Sequence, residues 1–136
     1  MKIDGLLHVN IRCHESDLPA IERFYRALGI EPGYRPAFPF SGFWLYHGRE
    51  PIIHISARYA EGSITKDRTH NGSVDHIAFR CRGASELRDR LVRNQIEFEE
   101  HNVENVGYQI FTADPVGTRL EFNFPNEEAP DSVVLG

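Results

Sequence analysis

Two histidine-led repeats and a matched histidine and glutamate have the spacing that a metal site needs. His8 opens the segment HVNIRC and His76 opens HIAFRC, at an offset of 76 − 8 = 68 residues. His54 and Glu121 form a second matched pair, at an offset of 121 − 54 = 67. Imidazole nitrogens plus one carboxylate suit Zn, Ni, Co, Mn or Fe(II), and two histidines with one carboxylate leave coordination positions open for substrate. The expectation is one divalent metal ion held by His8, His76 and Glu121, with His54 as a fourth ligand or a proton carrier. A lone strand histidine is more often a hydrogen-bonded residue than a ligand; the repeat is what lifts these above that reading.

Strand alternation gives the histidines their neighbours. Asn10 and Arg12 share the face of His8, Ser56 that of His54, Arg80 that of His76, and Arg119 and Asn123 that of Glu121. These six are expected to line a substrate cleft, because guanidinium pairs well with carboxylate or phosphate and amides complete such a wall. The opposite faces are apolar: Val9, Ile11 and Cys13; Ile53 and Ile55; Ile77, Phe79 and Cys81; Leu120, Phe122 and Phe124. Cys13 and Cys81 thus read as small buried hydrophobes. Phe38, Phe40, Phe43, Trp44 and Tyr46 are candidates for an aromatic wall, while His14, His47, His70 and His101 have no spacing argument and read as surface residues.

The elements that must position these groups repeat as well. SDLPAIERFYRALG predicts a helix with Ser16 or Asp17 as N-cap, Pro19 in its first turn and Gly29 as its stop. GASELRDRLVRNQ predicts a second, which Ser85 can cap. Leading strands are expected at 6–13 and 74–81, and further strands at 33–38, 42–47, 51–57, 96–101, 107–113 and 118–124. DPVGT at 114–118 is a turn, with Pro setting φ and Gly tolerating positive φ. The order is βαβββ, linker, βαβββ.

With 136 residues, 40% of them hydrophobic, the chain is long enough for one ordinary domain. A formal charge of −5 argues against a nucleic-acid partner, and the local basic run RDRLVR is interleaved with acidic neighbours. No apolar run is long enough to span a membrane, and MKIDGLLHVN lacks a signal-peptide pattern. Two cysteines do not make a disulfide framework. A cytoplasmic protein is expected.

The segments HVNIRC, DLPAIERFYRALGI, WLYHGREPIIHIS, VDHIAFRC and DPVGTRLEFNF resemble the vicinal oxygen chelate superfamily, over roughly residues 5–124. That group includes glyoxalase I, methylmalonyl-CoA epimerase, extradiol dioxygenases, fosfomycin-resistance transferases and bleomycin-binding proteins. The resemblance implies an α+β fold, with two tandem βαβββ modules forming a curved, mixed-sheet, barrel-like cleft in a single domain. Module one would cover about 5–57, a linker 58–73, module two 74–124 and a tail 125–136. It also implies that His8, His76 and Glu121 are ligands, and that a homodimer is formed, with the site completed within one chain or across two. At position 54 glyoxalase I and its relatives place Glu and the epimerases Gln, whereas this chain has His. Extradiol dioxygenases use a comparable histidine in acid–base chemistry, but their tyrosine ten residues before the ligand glutamate is Phe111 here. Segment 97–113 holds no Lys or Arg to match the phosphonate-binding groups of fosfomycin-resistance enzymes, and bleomycin-binding members usually lack the metal ligands. The implied activity is first a glyoxalase-like lyase or isomerase acting on a small oxygenated carbonyl compound. An extradiol-type ring-cleaving dioxygenase comes second, and a small-molecule binding or resistance protein third.

Overall fold

The computed structural model describes residues 1–58 and 74–129. Most of the expected linker, with His70, and the tail beyond 129 lie outside them. The chain divides into two compact units, Met1–Thr65 and Lys66–Gly136.

In the first unit, β1 (Val9–Cys13) leads through a short 3₁₀ turn (Glu15–Asp17) into α1 (Leu18–Ala27). β2 (Glu31–Gly33), β3 (Gly42–His47) and β4 (Glu50–Ala57) follow, and the sheet order is β1-β4-β3-β2. The second unit repeats this with β5 (Ile77–Arg80), α2 (Ala84–Arg93), β6 (Glu99–Val103), β7 (Gly107–Ala113) and β8 (Arg119–Phe124), in the order β5-β8-β7-β6. Each sheet is open and mixed. The leading strand runs parallel to the last (β1 with β4, β5 with β8), and the other pairings are antiparallel. The α+β class and the doubled βαβββ order therefore hold.

Alternation fixed which side is buried. Ile11, Cys13, Leu45, Ile53 and Ile55 are buried in the first unit with Ile21, Phe24, Tyr25 and Leu28 of the helix and its cap. In the second, Tyr108, Ile110, Leu120, Phe122 and Phe124 are buried with Ala84, Leu87 and Leu91. Side chains of this kind each contribute about 1.5–3 kcal/mol on burial, which is why the register cannot slip by one residue without losing the core.

Several expected boundaries move. β1 begins at Val9 rather than at residue 6, where Val9 pairs with Ile53. Continuing that ladder would set Leu7 against Pro51, which has no N–H to donate. β2 ends at Gly33, before Pro36 and Pro39. Ser85 lies inside α2; the cap position is Gly83, at φ 86°. The Glu127 carboxylate accepts the Gly83 and Ala84 N–H groups at 2.7 and 2.8 Å, serving the helix end from a distant segment. In the DPVGT turn, Asp114 Oδ1 accepts the N–H groups of Val116 and Thr118 at 3.0 and 2.8 Å, and Gly117 sits at φ 86°. That turn aims the start of β8, and with it Arg119 and Glu121.

Candidate metal centre

His8 and His76 occupy equivalent places, each immediately before the first residue of a leading strand. Their parallel partner strands bring different residues to them. In the second unit, His76 Nε2 lies 2.9 Å from Glu121 Oε2. The other ring nitrogen, Nδ1, is 2.6 Å from Asp75 Oδ2. Asp75 also accepts from Arg119 Nη1 at 3.0 Å. Its carboxyl is held below the ordinary range, first by the bond from His76 and further by the nearby Arg119 charge.

Glu121 is 8% exposed, and its two oxygens are differently committed. Oε1 accepts from Gln109 Nε2 at 2.8 Å and lies 3.4 Å from Asn123 Nδ2, while Oε2 faces His76. A buried carboxylate needs such donors, since an unpaired one is costly. Phe111 pairs opposite Glu121 across β7 and β8, and its ring meets His76 edge-on at 5.7 Å. The Arg119 guanidinium lies over the same ring at 4.5 Å. Beside it is an open cleft of about 680 Å³, whose walls include Ile96, Phe98, Phe111, Thr112 and Arg119.

In the first unit the corresponding pair is aromatic. His8 stacks on His54 with centroids 3.8 Å apart, and His54 stacks on Trp44 at 3.9 Å. His54 Nε2 is 3.1 Å from the Pro51 carbonyl oxygen. Burial lowers the His54 pKa, and the adjacent His8 lowers it further. The ring is therefore biased to its neutral form, donating from Nε2 to Pro51 with Nδ1 left as the lone-pair nitrogen. The aromatic wall is built from Trp44, Phe38 and Phe40, with Phe38 stacked on Phe40 at 5.4 Å and tilted on Trp44 at 6.0 Å.

The remaining expected cleft residues divide. Asn10 donates to the Ser56 hydroxyl at 2.9 Å, with Ser56 buried. Arg12 donates to the Arg58 carbonyl oxygen at 3.2 Å, and Arg80 is exposed at the end of β5. Arg119 is engaged with Asp75 and Phe111, and Asn123 with Glu121. Cys81 is no nucleophile at neutral pH, since burial, aided by Glu127, pushes its thiol up to about 11. Sequence reasoning passed over Asp75, although it directly precedes His76, and Gln109, whose register opposite Asn123 only the sheet reveals.

Among the described residues, no group of three or more His, Cys, Asp or Glu side chains is arranged to hold a metal ion. Two of the expected donors are nevertheless together. At 2.9 Å, His76 Nε2 and Glu121 Oε2 are in hydrogen-bond contact and near the roughly 3.0–3.4 Å that separates two donors at about 2.1 Å from one ion at a right or tetrahedral angle. A carboxylate behind the far ring nitrogen is also the usual support of a ligating histidine. This donor pair fits a divalent ion.

Neither a protein-family model nor a curated protein matches the chain. Solved structures do. A glyoxalase family protein from Bacillus anthracis is 23% identical, with TM-score 0.73, over 93% of this chain and 98% of that one. A glyoxylase/bleomycin resistance protein/dioxygenase domain from Frankia sp. is 19% identical, with TM-score 0.72, over 92% and 100%. A variant of the fosfomycin resistance protein FosX from Listeria monocytogenes, complexed with Mn(II) and a dihydroxypropylphosphonic acid, is 21% identical, with TM-score 0.68, over 92% and 95%. The fold is thus that of the vicinal oxygen chelate superfamily. No helix among the described residues is long and apolar enough to cross a membrane.

Proposed function

We propose that the chain is a metal-dependent lyase or isomerase of the glyoxalase kind, acting on a small α-oxygenated carbonyl compound. The observation that carries this reading is the His76–Glu121 pair at 2.9 Å, with Asp75 behind the imidazole and Gln109 fixing the far oxygen of the carboxylate. His76 and Glu121 would hold the ion, and the internal repeat names His8, of this chain or of a second copy, as the third ligand. A divalent ion held there supplies Lewis-acid stabilisation to neighbouring substrate oxygens as negative charge develops on them. Mn(II) in the FosX complex supports a divalent ion in a site of this fold.

Glu121 would bind the ion and, on dissociating from it, take a proton from the carbon beside the substrate carbonyl and return it to the neighbouring atom. Its Oε1 is tethered by Gln109, which leaves Oε2 for that exchange. His54, biased to the neutral form, would serve as a fourth ligand or proton shuttle. The cleft beside Phe111, walled by Ile96 and Phe98, suits the apolar part of a small substrate. Phe111 favours this reading over ring cleavage, because a phenyl ring has no proton to give.

Metal analysis of the native protein, followed by turnover assays on α-hydroxycarbonyl compounds with oxygen consumption recorded, tests the proposal. Turnover that depends on the metal and consumes no oxygen is the expected result. Oxygen uptake with catechols would replace it with the dioxygenase reading. Tight binding of an aromatic compound without turnover would replace it with a binding protein. A homodimer is part of the proposal, and sedimentation of the metal-loaded protein tests it.

A further inference from the structure

We propose that Asp75 and Arg119 are positioning residues for His76: Arg119 anchors the Asp75 carboxylate, which holds the His76 ring by its Nδ1 hydrogen so that Nε2 is presented beside Glu121. The inference rests on the metal reading for its consequence, but its geometry stands in the second unit alone.

Asp75 is strongly exposed (71% of its side chain), so nothing in the packing demands a carboxylate there. A free aspartate on a chain segment outside any strand would sample several rotamers. Instead Oδ2 is fixed between two donors, the His76 ring at 2.6 Å and the Arg119 guanidinium at 3.0 Å. Arg119 is itself held, with its guanidinium 4.5 Å from the centre of the Phe111 ring. Phe111 in turn presents its ring to His76 at 5.7 Å, so the three side chains close a loop with the imidazole. A carboxylate on Nδ1 keeps a hydrogen there, so that Nε2 is the nitrogen a metal would take, in place of the proton it shares with Glu121 Oε2. Arg119 was expected to bind substrate. It lines the open cleft, and its engagement with Asp75 and Phe111 adds support of the site to that expected role.

The test measures Zn(II) binding by calorimetry and the His76 Nδ1–H proton by NMR, in wild type and in Asp75→Ala, Asp75→Asn and Arg119→Met. Loss of the carboxylate should weaken Zn(II) binding by about 10–100-fold. Asp75→Asn, which keeps an acceptor oxygen, should recover part of the loss, and Arg119→Met should cost less than Asp75→Ala. The Nδ1–H proton should appear downfield and protected from exchange in wild type, and lose protection in Asp75→Ala. All variants should keep wild-type thermal midpoints within a few degrees, since Asp75 is exposed and Arg119 half-buried at the surface. Unchanged Zn(II) affinity in Asp75→Ala overturns the proposal. If wild type itself binds no Zn(II), the metal reading fails separately. The Nδ1–H proton of the metal-free protein then decides, and its persistence in Asp75→Ala overturns the positioning role.

Discussion

The two modules share a backbone plan and differ in what one position does with it. Asn10 pairs with His54 across the parallel strands of the first unit, and Ala78 pairs with Glu121 across those of the second. The leading histidine of each unit therefore meets position 54 or 121 on the same strand face. With Glu121 the result is a charged contact, backed by Asp75 and steadied by Gln109. With His54 it is a stack of three rings, Trp44, His54 and His8. A duplicated fold thus yields a histidine–carboxylate contact in one half and a stack of aromatic rings in the other. The site chemistry is set by single side chains placed by register, while the fold is set by the alternation beneath them.

The sharpest way to break this comparison is to remove the carboxylate. Glu121→Gln keeps the shape and the contact with Gln109, but removes the negative charge and the base. Turnover should fall by roughly 10²–10⁴-fold, and Zn(II) binding should fall with it, while the far-UV spectrum stays unchanged. Wild-type kinetics in this variant would end the assignment of the second unit as the reactive half.

The equivalent cysteines offer a second contrast. Cys13 is fully buried, and Cys81, only partly so, has its thiol pushed up to about 11 by burial and then by Glu127. The thiolate is the reactive form, so alkylation of Cys81 by iodoacetamide at pH 8 should run about a hundredfold slower than that of an exposed thiol. The rate should climb about tenfold per pH unit up to pH 10, as the thiolate fraction grows. A fast reaction that is flat with pH would show that burial does not hold this thiol in its protonated form.

His54→Ala sharpens the comparison from the other side. Two stacked contacts are lost with the ring, which should cost about 1–2 kcal/mol of stability in urea unfolding. Zn(II) affinity should drop less than in Glu121→Gln, because His54 has its Nε2 on Pro51 and acts on His8 through stacking. A loss of metal equal to that of the glutamate variant would make His54 a full ligand.

How much of this could be read in the sequence follows from the range of each interaction. The strand faces were legible because alternation is a property of neighbours: Ile53 and Ile55 inward and His54 outward needs no tertiary knowledge. The histidine repeat was legible because a duplication leaves a fixed offset. Relations across strands were not legible. Gln109 reaches Glu121 through antiparallel register, Glu127 caps α2 from 43 and 44 residues away, and Arg119 meets Asp75 across 44 positions. The early start assumed for β1 failed for the same reason, since Pro51 ends the ladder from the partner strand. Symmetry with Glu121 makes His54 a candidate fourth ligand or proton shuttle. Symmetry of position says nothing about Trp44, which the β3–β4 register brings onto the ring.

The smallest expected effect lies where the two helices end. Both close with the same pair of bonds: Gly29 N–H to Arg26 O at 2.9 Å and Ile30 N–H to Tyr25 O at 2.9 Å after α1, then Gln95 N–H to Val92 O at 3.1 Å and Ile96 N–H to Leu91 O at 2.9 Å after α2. This closure needs a left-handed residue at its turn. The first unit uses glycine at φ 85°, and the second forces glutamine to φ 56°. A side chain in that region costs roughly 1–2 kcal/mol, because its Cβ crowds the following carbonyl. Gln95→Gly removes that strain, but it also gives the unfolded chain more freedom, which takes back part of the gain. The expected net is a stabilisation of about 0.5–1 kcal/mol, read as a higher urea midpoint at unchanged slope. Gly29→Ala should move the other way by a similar amount. If Gln95→Gly is neutral or destabilising, the glutamine contributes something beyond its backbone angle, and the two helix ends are equivalent only in their hydrogen bonds.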